Sequence, residues 1–246
     1  MQKITHIFKA LSTKIKSIQH STPNAVIIGA IIIACSIVAH GFIVRGTSTT
    51  NEIATYFTGK VPDATDYIEG NADSDVFIVE YSDTECPYCV QLHGTMKELR
   101  TAYEKKVGFI YRHFPLTSIH PNAFEEGRAI ECAGKVGGTK KYYEYVDALF
   151  GYKLANQTTA LPQGAKDDIA KGINLNFESF TACMKDQTSS DAINAAIGDG
   201  INAGVEGTPA TFILAKTKNG YEVVASISGA RPFEYFQAAI EQALNK

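Results

Sequence analysis

One stretch constrains the fold more than any other: "VFIVEYSDTECPYC", residues 76–89. Its first seven residues are apolar and β-branched and read as a short buried strand. Two cysteines follow, separated by two residues, and the first falls where the strand ends and a helix begins. The helix is expected from about Pro87 to Lys106. "VGFIYRHF" (107–114) then reads as a second strand. A strand–helix–strand unit predicts two parallel strands.

The rest of the chain continues that pattern. A long helical region follows, with Pro121 suited to a first helical position and Gly137-Gly138 to a stop. "TKKYYEYVDALF" places Tyr142, Tyr145, Val146 and Leu149 on one face, and "FESFTACM" and "DAINAAIGDGINAG" keep the helical period. "TPATFILA" and "YEVVASI" read as two strands joined by a turn at Asn219-Gly220. "RPFEYFQAAIEQAL" closes the chain as a helix opened by Pro232, with Phe236, Ile240 and Ala243 on one side. The order is β-α-β, a helical block, then β-β-α: one α/β sheet domain interrupted by helices.

Charge is divided unevenly. No Asp or Glu precedes Glu52, and the first 45 residues carry Lys3, Lys9, Lys14, Lys16 and Arg45. The remainder holds 18 basic against 26 acidic residues, a balance of −8. A part this acidic has no nucleic-acid footprint. Residues 25–44, "AVIIGAIIIACSIVAHGFIV", form a 20-residue apolar run, the length an α-helix needs to cross a bilayer core. Four lysines before it and only Arg45 close behind it predict a cytoplasmic N-terminus and an exported remainder. The run is longer than a signal-peptide core, and no clean small-x-small cleavage site follows it. "IIAC", ending at Cys35, loosely matches a lipoprotein signal, but the apolar run continues past it. The expected layout is a short basic cytoplasmic segment (1–24), a transmembrane signal anchor (25–44), a polar stalk (45–66) and a folded domain (67–246).

Four of the five cysteines lie in the exported part: Cys86, Cys89, Cys132 and Cys183. An even count in an exported domain suggests two disulfides. A structural zinc site needs four Cys or His ligands, usually as two close pairs; here there is one close pair, and no His sits at ligand spacing with Cys132 or Cys183. A redox pair is the other reading. The N–H groups at a helix N-terminus stabilise a thiolate on Cys86, and Pro87 fits the first turn because its missing N–H is not needed there. Cys89, one turn in, is expected to be the sheltered partner, leaving Cys86 exposed to attack. Asp83 and Glu85 oppose a thiolate by their charge.

Two further features bear on the pair. Glu80 sits inside a strand that otherwise reads as buried, where a carboxylate needs a reason; an edge strand with Glu80 in water is the alternative. Pro209, after Gly-Thr and before a strand, fits a cis-proline in a tight turn, although a trans bond is the commoner state. His93 is expected to cover the helix surface, His113 and His120 to be structural, and Tyr142, Tyr143 and Tyr145 to pack.

"FIVEYSDTECPYC", followed far downstream by "GTPATFI", resembles the DsbA-like thiol–disulfide oxidoreductases of the thioredoxin superfamily. The resemblance covers about residues 67–246 and implies a thioredoxin fold with an inserted helical subdomain (about 117–204), preceded here by one N-terminal transmembrane helix. "YRHFPL" and "CAGKVGGTKKYYEYVDALF" also look like family segments. The resemblance implies that Cys86 and Cys89 are the catalytic pair and that Glu80, lying beneath them, assists proton transfer. It implies that Pro87, Tyr88, Thr208 and Pro209 form the active-site loops and bind substrate backbone. It also implies a non-catalytic disulfide between Cys132 and Cys183 in the insert.

The function so implied is a thiol–disulfide oxidoreductase tethered to a bacterial inner membrane by residues 25–44, with its C-terminal domain periplasmic. It would introduce disulfides into exported cysteine-containing proteins and be reoxidised by a membrane redox partner, with no cofactor, metal or nucleic acid. Pro87-Tyr88 and Thr208 also resemble reductase and isomerase relatives, although 45–75 looks too short for the dimerisation domain those usually carry. A tethered binding protein or chaperone with structural cysteines is the alternative of another class.

Overall fold

The computed structural model describes residues 55–246. The basic segment, the apolar run 25–44 and Cys35 lie outside the described residues. Among the described residues, no helix is long and apolar enough to cross a membrane.

The elements are β1 (Ile68–Gly70), β2 (Val76–Ser82), α1 (Pro87–Tyr103), β3 (Gly108–His113), α2 (Ala123–Ala155), α3 (Ala165–Gly172), α4 (Phe177–Lys185), α5 (Gln187–Asn202), β4 (Ala210–Thr217), β5 (Gly220–Ser228) and α6 (Phe233–Leu244). The sheet runs β1-β3-β2-β4-β5. β2 lies parallel to β3 and antiparallel to β4, and β4 and β5 form a hairpin. β2 is therefore central, and all seven of its residues are buried.

Alternation along β2 sorts its side chains between two layers. Val76 and Ile78 pack with Leu92, Met96 and Leu99 of α1 and with Phe236 and Ile240 of α6. Phe77, Val79 and Tyr81 face the other way, onto Phe57, Phe114, Phe212 and Val205. Glu80 shares the Ile78 parity and so lies on the α1 side. Helices α2 to α5 stand between β3 and β4 in sequence, and α2, α3 and α4 share an apolar centre around Ile130, Tyr145, Leu149 and Phe180 that reaches Cys86, Cys89 and Val90 at the head of α1 and Tyr111 of β3.

One expectation holds and one needs correction. Gly137-Gly138 interrupts the helix as the sequence predicts: Gly138 is non-helical, with φ 74° and ψ −171°, and divides α2 into two helical arms joined at a kink. Glycine tolerates that conformation, and L-residues with a Cβ resist it. Residues 55–66, by contrast, do not behave as a free stalk. Phe57 is buried, its ring centroid 5.2 Å from that of Phe212, and its N–H donates to the Tyr221 carbonyl at 2.9 Å. Both carboxylate oxygens of Asp66 accept from Nη2 of the buried Arg112, each at 3.1 Å. Apolar burial and a buried ion pair hold this segment on the domain; the polar, turn-rich composition that suggested a stalk does not register them.

Candidate active site

Cys86 is the residue capping α1, with extended backbone (φ −72°, ψ 124°) and Pro87 just inside the helix. Its N–H donates to the Asp83 carbonyl at 3.2 Å. Cys89 lies one turn on, fully buried, its sulfur accepting from the Asp83 N–H at 3.4 Å. Both thiols are free. Cys86 is more sheltered than the sequence suggested, with 4% exposure, whereas Tyr88 between the cysteines is 61% exposed.

The cover over Cys86 is the loop before β4. The Thr208–Pro209 peptide is cis, against the trans bond that frequency alone favours. The Thr208 carbonyl oxygen lies 3.3 Å from the Cys86 sulfur and accepts from the thiol when it is protonated. The sheet brings this loop there: Tyr81, one residue short of the end of β2, pairs with Ala210 at the start of β4. Residues 122 positions apart in the chain thus meet across two neighbouring strands.

The two sulfurs are driven apart electrostatically. The Cys89 thiol, donating to the Cys86 sulfur, is the main cause of a Cys86 pKa pulled down to about 5. Burial opposes it, while the backbone N–H groups of Cys89 and Tyr88 and the Thr208 side chain add to it. These N–H groups belong to the open first turn of α1. Cys89 is pushed up, first by burial and then by its neighbour. A stabilised thiolate beside a protonated thiol is the asymmetry that thiol–disulfide exchange uses.

Glu80 is not on an edge strand. It lies on central β2 between Tyr111 of β3 and Thr211 of β4, and only 8% of it is exposed. Burial raises its pKa to about 7, against the Ser82 hydroxyl and the Arg100 charge, which lower it. A cavity of about 20 Å³, room for a single water, lies beside it, lined among others by His93, Met96, Arg100 and Tyr143.

His93 is not a surface residue. Its ring stacks on Phe150 at 4.8 Å, with Nε2 3.2 Å from Asp147 Oδ1, and burial lowers its pKa. Asp83 and Glu85 are not free charges beside the thiolate. The Asp83 carboxylate accepts from Leu116 N–H at 2.6 Å and lies 2.8 Å from His120 Nδ1. The Glu85 carboxylate accepts from the Asn122 backbone at 2.7 Å and its side-chain amide at 2.9 Å. Cys132 and Cys183 are bridged, Cα to Cα 5.6 Å, joining α2 to α4. Tyr142, Tyr143 and Tyr145 are all buried.

Sequence reading missed Lys153 and Glu126, an ion pair of 2.6 Å in which the lysine is fully buried. A signal was present: Lys153 continues the buried stripe of Tyr142, Val146 and Leu149 at helical spacing, where a lysine is out of place.

A thioredoxin-type sheet interrupted between β3 and β4 by a helical insert, carrying its cysteine pair at the head of α1, is the DsbA-like architecture, and this chain has it. The chain belongs to the thioredoxin family, whose family model matches residues 63–242. Its fold is that of the thiol-disulfide exchange protein alpha-DsbA2 from Wolbachia pipientis: TM-score 0.61, 20% identity, covering 73% of this chain and 88% of that one. DsbA2 from Pseudomonas aeruginosa gives a TM-score of 0.59 at 26% identity, covering 74% and 96%. A curated relative, the Na(+)/H(+) antiporter NhaA 1 of Salinispora arenicola, is 30% identical over 165 residues, covering 67% of this chain and 24% of that protein. The chain therefore spans about a quarter of the length of the curated relatives it matches, and the ion transport in that name belongs to a much longer protein.

Proposed function

We propose that the protein is a membrane-tethered, extracytoplasmic thiol–disulfide oxidoreductase that introduces disulfides into exported proteins. Residues 1–24 would be cytoplasmic, 25–44 the membrane anchor, and the catalytic domain would face the periplasm. Residues 55–66, expected as stalk, would act as part of that domain.

In the oxidised enzyme a substrate thiolate attacks the Cys86 sulfur. The Cys86–Cys89 bond breaks, and Cys89 leaves as a thiolate that takes a proton from Glu80. A second substrate thiolate attacks the substrate sulfur of the mixed disulfide and expels Cys86, which remains ionised. Two electrons have then passed from the substrate to the enzyme, and a membrane redox partner must take them to restore the disulfide. Tyr88, Thr208 and Pro209 surround the sulfur at which substrate arrives, and the Thr208 backbone, whose carbonyl lies 3.3 Å from that sulfur, would pair with an extended substrate segment.

The observation that carries this reading is the placement of Cys86 at the head of α1, where the Cys89 thiol first and the first-turn N–H groups after it hold its thiolate. A thiolate so stabilised is a good leaving group, and it makes the disulfide form a strong oxidant. The test is the reduction potential of the pair in the full-length protein in detergent, equilibrated with glutathione buffers. A potential near −120 mV, about that of a strong oxidase, is expected. A value near −270 mV, roughly that of a reductant, would overturn disulfide donation in favour of reduction or isomerisation. No exchange at all would return the cysteines to a structural role.

A further inference from the structure

Asp83, Thr84 and Glu85 separate the end of β2 from the cysteine that caps α1. Each is held from across the insert boundary by a different group. The Asp83 side chain is taken by Leu116 and His120, and the Glu85 side chain by Asn122 at the head of α2. Thr84 offers its backbone carbonyl, which accepts from Lys153 Nζ at 2.8 Å.

Lys153 sits in the last turn of α2, and Glu126, its ion-pair partner, in the first. The kink at Gly138 folds the two arms together so that they meet. The charges facing the ammonium are Glu126 from α2, then Glu85 and Asp83 from the loop. Taking such a pair out of water rarely stabilises a fold, and an apolar pair of similar volume often does as well or better. Stability alone therefore gives no reason for a lysine at this site. Its contacts do: its Nζ holds the Thr84 carbonyl at 2.8 Å, two residues before Cys86, and so fixes the loop that seats the cap of α1.

We propose that Lys153 is a positioning residue for the redox pair: it ties the insert to the active-site loop and keeps Cys86 seated as the cap of α1, with its thiolate stabilised. The inference rests on the reading of Cys86–Cys89 as the exchanging pair. Without Lys153 the Thr84 carbonyl is unheld and Cys86 is less firmly seated against the first-turn N–H groups of α1, so the thiolate is less stable. Reduction by glutathione breaks the enzyme disulfide and forms glutathione disulfide; two electrons pass to the enzyme, Cys89 keeps a proton, and Cys86 releases its proton to water. Destabilising the thiolate shifts this balance toward the enzyme disulfide.

The test uses the full-length protein in detergent, with Lys153→Met, with Glu126→Leu/Lys153→Met (which leaves no carboxylate buried alone), and with Lys153→Arg. Thermal unfolding reports folding. Absorbance of the thiolate across pH and the glutathione equilibrium constant report the site. In the double variant, melting like the unaltered protein, the Cys86 titration should move up by about one pH unit, and the reduction constant should fall about tenfold. Lys153→Arg, which keeps a donor for the Thr84 carbonyl and a cation for Glu126, should stay near the unaltered values. A folded double variant with both readouts unchanged would overturn the proposal and leave Lys153 a packing residue. Absence of exchange in the unaltered protein would instead sink the reading of the pair itself.

Discussion

At the scale of single residues, the site works by placing titratable groups where water cannot level them. Glu80 shows the consequence for stability. Below its ordinary pKa of 4.5 the carboxyl is neutral whether the chain is folded or not. The unfolded chain ionises it from there upward, whereas the folded chain does so only near 7. Stability from this group therefore falls as pH rises between those values and levels off above them. Glu80→Gln should remove that slope and stabilise the reduced protein at pH 8 by about 2–3 kcal/mol, read by urea unfolding at a series of pH values. Parallel curves for the two proteins would show that Glu80 does not titrate in the fold. The same substitution should slow exchange, because Cys89 then leaves without a nearby proton donor.

At the scale of elements, the insert is a device for holding both ends of the active-site loop. The bent α2 brings Glu126 and Lys153 together beneath Thr84, while Asn122 at its head takes Glu85. The Cys132–Cys183 bridge pins α4 to the first arm of α2 across a sequence separation of 51. Loop-closure entropy assigns a crosslink of that span about 4 kcal/mol. The Cys132→Ala/Cys183→Ala protein should therefore lose roughly 2–4 kcal/mol in denaturant unfolding. A loss below about 1 kcal/mol would mean that helix packing already restrains the unfolded chain, so that the bridge adds little.

At the scale of the whole molecule, the segment before β1 completes the far layer of the sheet. Phe57 packs on Phe212, which in turn meets the Tyr81 ring edge-on. Arg112, 5% exposed, joins Asp66 in this segment to Asp199 of α5, with Nη1 2.9 Å from Asp199 Oδ2. Truncation at Tyr67 would remove both Phe57 and Asp66, leaving a cavity and a buried guanidinium short of a partner. A fragment beginning at Thr55 should be more stable than one beginning at Tyr67 by at least about 3 kcal/mol, measured by chemical unfolding of the two. Equal stabilities would restore the stalk reading of 55–66.

Much of the architecture was legible because it rests on local pattern. The apolar β-branched run of β2, the cysteine and proline opening α1, and the turn at Asn219-Gly220 each declare their element within a few residues. The class of chemistry was legible too, since a pair of cysteines two apart at a strand-to-helix junction has few uses. Long-range facts were not. That Glu80 is central depends on β4 lying beside β2, although more than a hundred residues separate them. That His93 is covered depends on Phe150 arriving from α2. That Asp83 and Glu85 are satisfied depends on Leu116, His120 and Asn122. Sequence alone determined which groups stand at the head of α1, because helix caps and strand ends are set by neighbouring residues. Only the tertiary structure decided which of those groups are buried and what they face, because burial and charge pairing are made by segments that meet only when the sheet closes.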